Sequence, residues 1–420
     1  MKNTYQFTLL LCAVALLFVL TLNSCKKDTT IVDAVGGGGT DSKKTIILTV
    51  DGGGIKGVIP ATFLQAIESS LNKPSYKLFD LVGGTSTGGI ISVALTSPNL
   101  AANKNLPYTA TEIVQIYQND GSKIFVPQGC EVETCAEYYA DNGSGGGVEP
   151  YLQSILGSST KLSDNYKFMQ GLIDARVKQM FTTSYIVNSQ GNAVADPVLG
   201  TDYGPYLFNW KNAAISFNDD YYVWEAARAT SAAPTYFPIA NVGGDTLLRS
   251  DTPEKWMVDG GMMSNDPAVW GVTEAIRTGL ASSLSDIIVI SLGTGIYPGN
   301  AGVGINNNVG FTVLADGNWS KTPWLEPGLF DLEGAANDGG AILNVILDAV
   351  QEVSNSQLQA LQKSGLQYYR LEPRLTLAQS QMDNIDPANI NSLIQTADDY
   401  LKSTEGAATF NKIVTALQSN

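Results

Sequence analysis

The chain has 420 residues, 44% of them apolar and 15% charged, with a net charge of −15 and no histidine. The apolar share supports a sizeable core, and the length suits one large domain or two ordinary ones. The negative charge argues against a nucleic-acid partner and against general attraction to anionic membranes. The missing imidazole removes the usual base of a serine hydrolase.

Lys2 and the apolar run from Phe7 to Leu22 read as the charged and hydrophobic regions of a signal peptide over residues 1–24. The run is too short to be read as a spanning helix. Leu22-Asn23-Ser24-Cys25 resembles the lipobox of bacterial lipoproteins, with Asn23 where a small residue is usual. The resemblance implies cleavage before Cys25, acylation of that cysteine, and an exported lipoprotein held to the cell envelope, with the outer membrane as the expected site. An ordinary cleaved signal or an N-terminal anchor is the alternative. Residues 26–44 contain Gly36-Gly37-Gly38-Gly39 and read as a flexible tether, so the folded domain is expected over 45–420. Cys130 and Cys135 would suit a short-loop disulfide in an oxidising compartment. Zinc is not expected from two cysteines and no histidine.

From Thr45 to Val50 the sequence is a short apolar, β-branched run, which predicts a buried parallel strand. The glycine turn Gly52–Gly57 follows. Ile59, Phe63, Ile67 and Leu71 then recur every four residues, a helical stripe. Leu78–Val82 predicts a second strand, which runs into Gly84-Thr85-Ser86-Thr87-Gly88 and a helix through Ile90, Ile91 and Leu95. Strand, glycine turn, helix, strand, serine turn, helix is the alternation of a parallel α/β sheet. Residues 140–149 read as a loop. Strands are expected over Thr183–Asn188 and Tyr206–Trp210, a helix over Tyr222–Thr230, and strands over Trp256–Val258 and Ile287–Leu292. Residues 296–340 are rich in Gly and Asn; within them Trp319, Trp324, Leu325 and Phe330 suit either an interfacial lid or a core. Helices over Ala341–Gln362 and 387–418 flank a late strand at Tyr368–Leu371.

Ser86 sits in the one G-x-S-x-G match, between a predicted strand and a predicted helix, as a nucleophile elbow requires. A glycine-rich turn with a capping serine is the plain alternative. Gly52, Gly54 and Gly57 also fit G-x-G-x-x-G, which can cradle a pyrophosphate. The next strand, however, ends in the serine elbow rather than in the acidic residue that would meet a ribose. Backbone N–H groups facing a developing oxyanion are the better use of the same loop. With no imidazole, a carboxylate is the obvious candidate base, and Asp-Gly-Gly occurs at Asp51, Asp259 and Asp338. Asp51 reads as bracing the glycine loop and Asp338 as a helix cap. Asp259 ends a strand-like run before Gly260-Gly261 and is the candidate base, its pKa raised by partial burial. Arg228 reads as a local structural residue that holds a carboxylate or a carbonyl.

Asp51-Gly-Gly-Gly-Ile-Lys-Gly57, Gly84-Thr-Ser-Thr-Gly88 and Asp259-Gly-Gly261 resemble the three ordered signatures of patatin-like phospholipases. Ala227–Pro238 and Ser291–Gly295 are similar to further blocks of that family, and the resemblance spans roughly residues 45–375. Lys56 stands where the family often carries Arg. The resemblance implies a three-layer α/β/α fold with a mixed, largely parallel sheet, and a Ser86–Asp259 dyad without histidine. It also implies an oxyanion hole from Gly52, Gly53, Gly54 and Thr87, with Gly57, Gly84, Gly88, Gly260 and Gly261 shaping the turns. The implied activity is hydrolysis of fatty-acyl esters of phospholipids or other lipids, with no metal or cofactor. An acyltransferase or thioesterase using the same dyad, and a non-catalytic lipid- or nucleotide-binding lipoprotein, are the alternatives.

Overall fold

The computed structural model describes residues 43–127, 139–141, 146–189, 203–246, 249–297 and 340–420. The expectations for Cys25, Cys130, Cys135, Asp338 and the aromatic group Trp319, Trp324, Leu325 and Phe330 lie outside these residues.

β1 (Thr45–Val50) is buried along its whole length, as its unbroken apolar run requires of a strand covered on both faces. It pairs in parallel with β2 (Leu81–Gly84) on one edge and β7 (Ile287–Leu292) on the other. β8 (Gln367–Leu371) extends the sheet in parallel beyond β7, and β3 (Gln179–Ser189) lies parallel beside β2. The remaining strands are antiparallel: β4 (Gly204–Asn209) and β6 (Lys255–Asp259) on β3, and β5 (Ala240–Val242) on β6. The sheet is therefore mixed and mostly parallel.

Alternation along β1 separates two cores. Ile46, Leu48 and Val50 pack with α1 (Val58–Leu71) and with the helices that follow, while Ile47 packs with α9 (Ala268–Arg277) and with Leu358 of α10 (Gly340–Leu361). Helices thus cover both faces. Ile59, Phe63 and Ile67 of the predicted stripe are fully buried, and Asn72 ends α1 in a left-handed conformation.

Several boundaries differ from expectation: β3 begins at Gln179 rather than Thr183, and two other differences have a local cause. The second strand starts at Leu81, because Ser75–Lys77 is a 3-10 turn and Asp80 is held by the Ile46 N–H and by Arg176. The C-terminal helical region is two helices, α12 (Pro387–Lys402) and α13 (Thr404–Gln418), divided at Ser403, whose hydroxyl accepts the Gly406 N–H. Among the described residues seven helices had no reading in the sequence: α3 (Ala110–Ile124), α4 (Val148–Leu156), α5 (Leu162–Gly171), α6 (Trp210–Ile215), α8 (Gly261–Ser264), α9 and α11 (Leu377–Ser380). α4 begins inside the segment 140–149 expected as loop.

The pairing along β3 brings two distant strand ends together. Residues 181–186 of β3 pair with β4, residues 179–182 with β2, and residues 184–189 with β6. Because β4 overlaps both other partners, β2 and β6 must share the opposite edge. They run toward each other, so Gly84 (opposite Thr182) and Asp259 (opposite Ser184) meet nearly end to end.

Candidate active site

Ser86 follows β2 after one intervening residue, Thr85, and opens α2 (Thr87–Ala94), with φ 53° and ψ −124°. That backbone is strained for a residue with a Cβ, and the surrounding contacts hold it there. A side chain on Gly84 would collide with the Gly88 carbonyl, and one on Gly88 with the carbonyls of Val50 and Asp51. The Ser86 N–H donates to Thr230 Oγ1 at 2.9 Å.

Asp259 ends β6 and is 4% exposed. Its Oδ1 accepts the Gly261 N–H at 2.7 Å, and it lines the same cavity as Ser86. Burial raises its pKa to about 7, against the smaller lowering effects of the Gly261 N–H, the Ser86 hydroxyl and the Arg228 charge. The turn after α7 (Val223–Thr230) clasps both segments: the Ala232 carbonyl takes the Asp259 N–H at 2.9 Å and the Thr230 carbonyl takes the Gly260 N–H at 3.3 Å. A side chain on Gly260 would strike Thr183.

The glycine loop after β1 lines the same cavity as Ser86. Gly54 has φ 59°, and a Cβ there would meet the Met382 carbonyl. Among the described residues no acceptor takes the N–H of Gly53, Gly54 or Thr87. Gly52 departs from the expected oxyanion set, because its N–H is spent on the Asn265 carbonyl at 3.1 Å. Its own carbonyl accepts from Thr294 Oγ1 at 2.6 Å. Gly57 packs against the hydrogen-bonded pair Thr87 Oγ1 and Tyr117 OH, which ties the loop to the elbow.

Asp51 does not brace the loop backbone. Its buried carboxylate binds the Arg370 guanidinium, with Oδ2 at 2.5 Å and Oδ1 at 3.3 Å. Arg370 also meets Ser291 Oγ and Glu372, and Asp266 lies 3.6 Å away. Burial raises the Asp51 pKa, opposed by the Arg370 charge and raised further by Asp266. Arg228 is fully buried and donates to the Pro238 carbonyl at 2.6 Å, with Glu149 at 3.6 Å, in keeping with a structural role. Lys56 reaches the cavity wall, where burial lowers its pKa against the pull of Glu372 and Asp348.

Ser86 and Asp259 open into a cavity of about 400 Å³. Its inner walls are apolar: Ile90, Ile91 and Ala94 of α2, Ile113 and Ile116 of α3, and Ile155 of α4. These recur at helical spacing, one stripe per helix. Among the described residues no group of three or more His, Cys, Asp or Glu is placed to hold a metal ion.

Sequence reasoning brought Ser86, Asp259 and the glycine turns into one place. It missed Thr230, Arg370 and the α3 and α4 walls. Thr230 and Arg370 act across 144 and 319 residues of sequence, with no local spacing to mark them. The stripes on α3 and α4 were present as Ile113, Ile116, Tyr117 and Ile124, and as Val148, Tyr151 and Ile155.

The patatin-like phospholipase family profile matches residues 48–269, just over half the chain. Curated relatives agree over a longer span. The chain is 28% identical to probable inactive patatin-3-Kuras 1 of Solanum tuberosum over 85% of this chain and 86% of the relative. It is 28% identical to patatin group D-3 of the same plant, over 85% and 83%. It is 27% identical to patatin-17 of Solanum cardiophyllum, again over 85% and 83%.

Proposed function

The chain belongs to the patatin-like phospholipase family, and from that premise we propose that it is a serine acyl hydrolase acting on fatty-acyl esters of phospholipids or other lipids through a Ser86–Asp259 dyad. The observation that carries this reading is the placement of Ser86 and Asp259 in one cavity at the facing ends of β2 and β6, with burial raising the Asp259 pKa to about 7. A carboxylate of ordinary pKa, about 3.9, is a weak base toward an alcohol, whereas one near 7 is matched to neutral pH. One related patatin is named probable inactive; in this chain both members of the proposed dyad are present and line one cavity.

In the proposed cycle Asp259 takes the hydroxyl proton as Ser86 Oγ attacks the ester carbonyl. The N–H groups of Gly53, Gly54 and Thr87 stabilise the tetrahedral oxyanion, each such donor contributing roughly 2.7–4 kcal/mol in comparable sites. The intermediate collapses, Asp259 returns the proton to the departing alcohol, and an acyl-Ser86 ester remains. Water attacks that ester, giving its proton to Asp259, and the fatty acid leaves as Ser86 recovers the proton. The apolar cavity would take the acyl chain and the open side the alcohol part.

The test is labelling by a fluorescent fluorophosphonate. The native protein should label, Ser86→Ala should not, and folded Asp259→Asn should label far more slowly. A folded native protein that takes no label would overturn the reading. We also propose that acylated Cys25 tethers the domain to the envelope, as Leu22-Asn23-Ser24-Cys25 supports. Incorporation of labelled palmitate should vanish in Cys25→Ala, and its persistence would sink that proposal.

A further inference from the structure

We propose that Ala94 is the floor of the cavity and sets the length of acyl chain the site accepts, an inference that rests on the hydrolase reading above. Three helices enclose the cavity, and their contacts fix which end is deep. At the mouth, Thr87 at the start of α2 bonds Tyr117 of α3. At the other end, the Tyr108 N–H, just before α3 begins, donates to the Ala94 carbonyl at 3.3 Å. α2 and α3 therefore run in opposite directions along the cavity. α4 runs beside α3 and in the same sense as α2: Tyr151 bonds Asp120 near the mouth at 3.0 Å, while the Ile155 carbonyl accepts the Tyr108 hydroxyl at 2.9 Å.

Tyr108 is thus a buried stopper, tied by its backbone to the end of α2 and by its side chain to the end of α4. In front of it the cavity wall consists of Ala94, Ile113 and Ile155. Ala94 is the small member, so the space over its methyl group is the deepest the chain leaves open. Thr87 to Ala94 is seven residues of helix, a depth of about 10 Å below the elbow at roughly 1.5 Å per residue. A straight acyl chain esterified to Ser86 would lie along α2 and end against Ala94. Chains that stop short would leave apolar wall uncovered, and longer ones would meet Tyr108. A bulkier residue at 94 should shorten the preferred chain and leave the reaction chemistry alone.

The experiment measures kcat/KM for p-nitrophenyl esters from butyrate to palmitate with the native chain, Ala94→Met and the milder Ala94→Val, folding being checked by thermal melting. The octanoate-to-butyrate ratio should fall at least about tenfold in Ala94→Met, since displaced methylenes in an apolar pocket carry that discrimination. It should fall less in Ala94→Val. An unchanged ratio in both folded variants would overturn the proposal. Calorimetric binding of free octanoate and butyrate separates the two readings. If Ser86→Ala keeps native turnover, the nucleophile assignment fails, and weaker binding of octanoate relative to butyrate in Ala94→Met would still support the floor. Equal binding of the two acids in native and variant proteins would sink it.

Discussion

The Arg370 guanidinium binds the Asp51 carboxylate from 319 residues away in sequence, beneath the glycine loop that faces Ser86. Arg370 lies outside the segment matched by the family profile, yet it reaches the first residue of the loop signature. Around it are Ser291, Glu372 and Asp266, and Glu372 in turn accepts the Gly295 N–H at 2.5 Å. One buried cation therefore joins the ends of β1, β7 and β8.

Replacing Arg370 by Met should destabilise the fold by about 3–5 kcal/mol, because Asp51, Asp266 and Glu372 would remain buried without their cation. Urea unfolding of the variant measures this. A loss below about 1 kcal/mol would mean that water reaches these carboxylates and that the ion pair does little.

Thr230 should matter to catalysis although it touches no substrate. Its hydroxyl takes the Ser86 N–H and its carbonyl the Gly260 N–H, so one residue aligns both halves of the proposed dyad. Thr230→Val keeps the shape and removes the acceptor, which leaves an unpaired N–H costing about 1–3 kcal/mol. The variant should lose up to about 100-fold in kcat with little change in KM, as slight misplacement of a nucleophile does. Thr230→Ser should restore most of it. Equal activity of the Val and Ser variants would remove Thr230 from the argument.

The pH dependence follows from Asp259. As a base it works only when ionised, so kcat/KM should rise with pH through a single ionisation near 7. Stability should move the opposite way. The folded-state pKa is about 7 and the unfolded value about 3.9, so between them the folded protein holds a proton that the unfolded chain has released. Stability contributed at this position is present below pH 4 and is lost as pH rises through 7. Asp259→Asn removes the cost of burying a charge, so it should be inactive yet more stable than the native protein at pH 8, and near parity at pH 4. Thermal melting at both pH values tests the sign; an equal shift at both would show that Asp259 is already ionised when buried.

The local code of the chain was strong enough to mark β1, the Ser86 elbow, the Asp259 turn and most strands near them. Each depends on contacts a few residues apart: a β-branched run, glycines where a Cβ would strike backbone, a helical stripe. The composition, which holds no imidazole, made a carboxylate the candidate base for Ser86. It left open which of three Asp-Gly-Gly segments that was. Tertiary structure separated Asp51 from Asp259 by pairing the first with Arg370 and aiming the second, at the head of β6, toward the end of β2 on a shared edge of β3. Local spacing likewise admitted Gly52 to the oxyanion set, and only the Asn265 carbonyl, more than two hundred residues on, withdrew it. The depth of the cavity belongs to the same class. Ala94 is an ordinary helical alanine in sequence, and it becomes a floor only because Tyr108 and Ile155 close the space behind it. Hydrogen bonds and packing between segments far apart in sequence leave no periodic trace, so the chain alone defines its turns and strands while the folded sheet selects which of their groups meet.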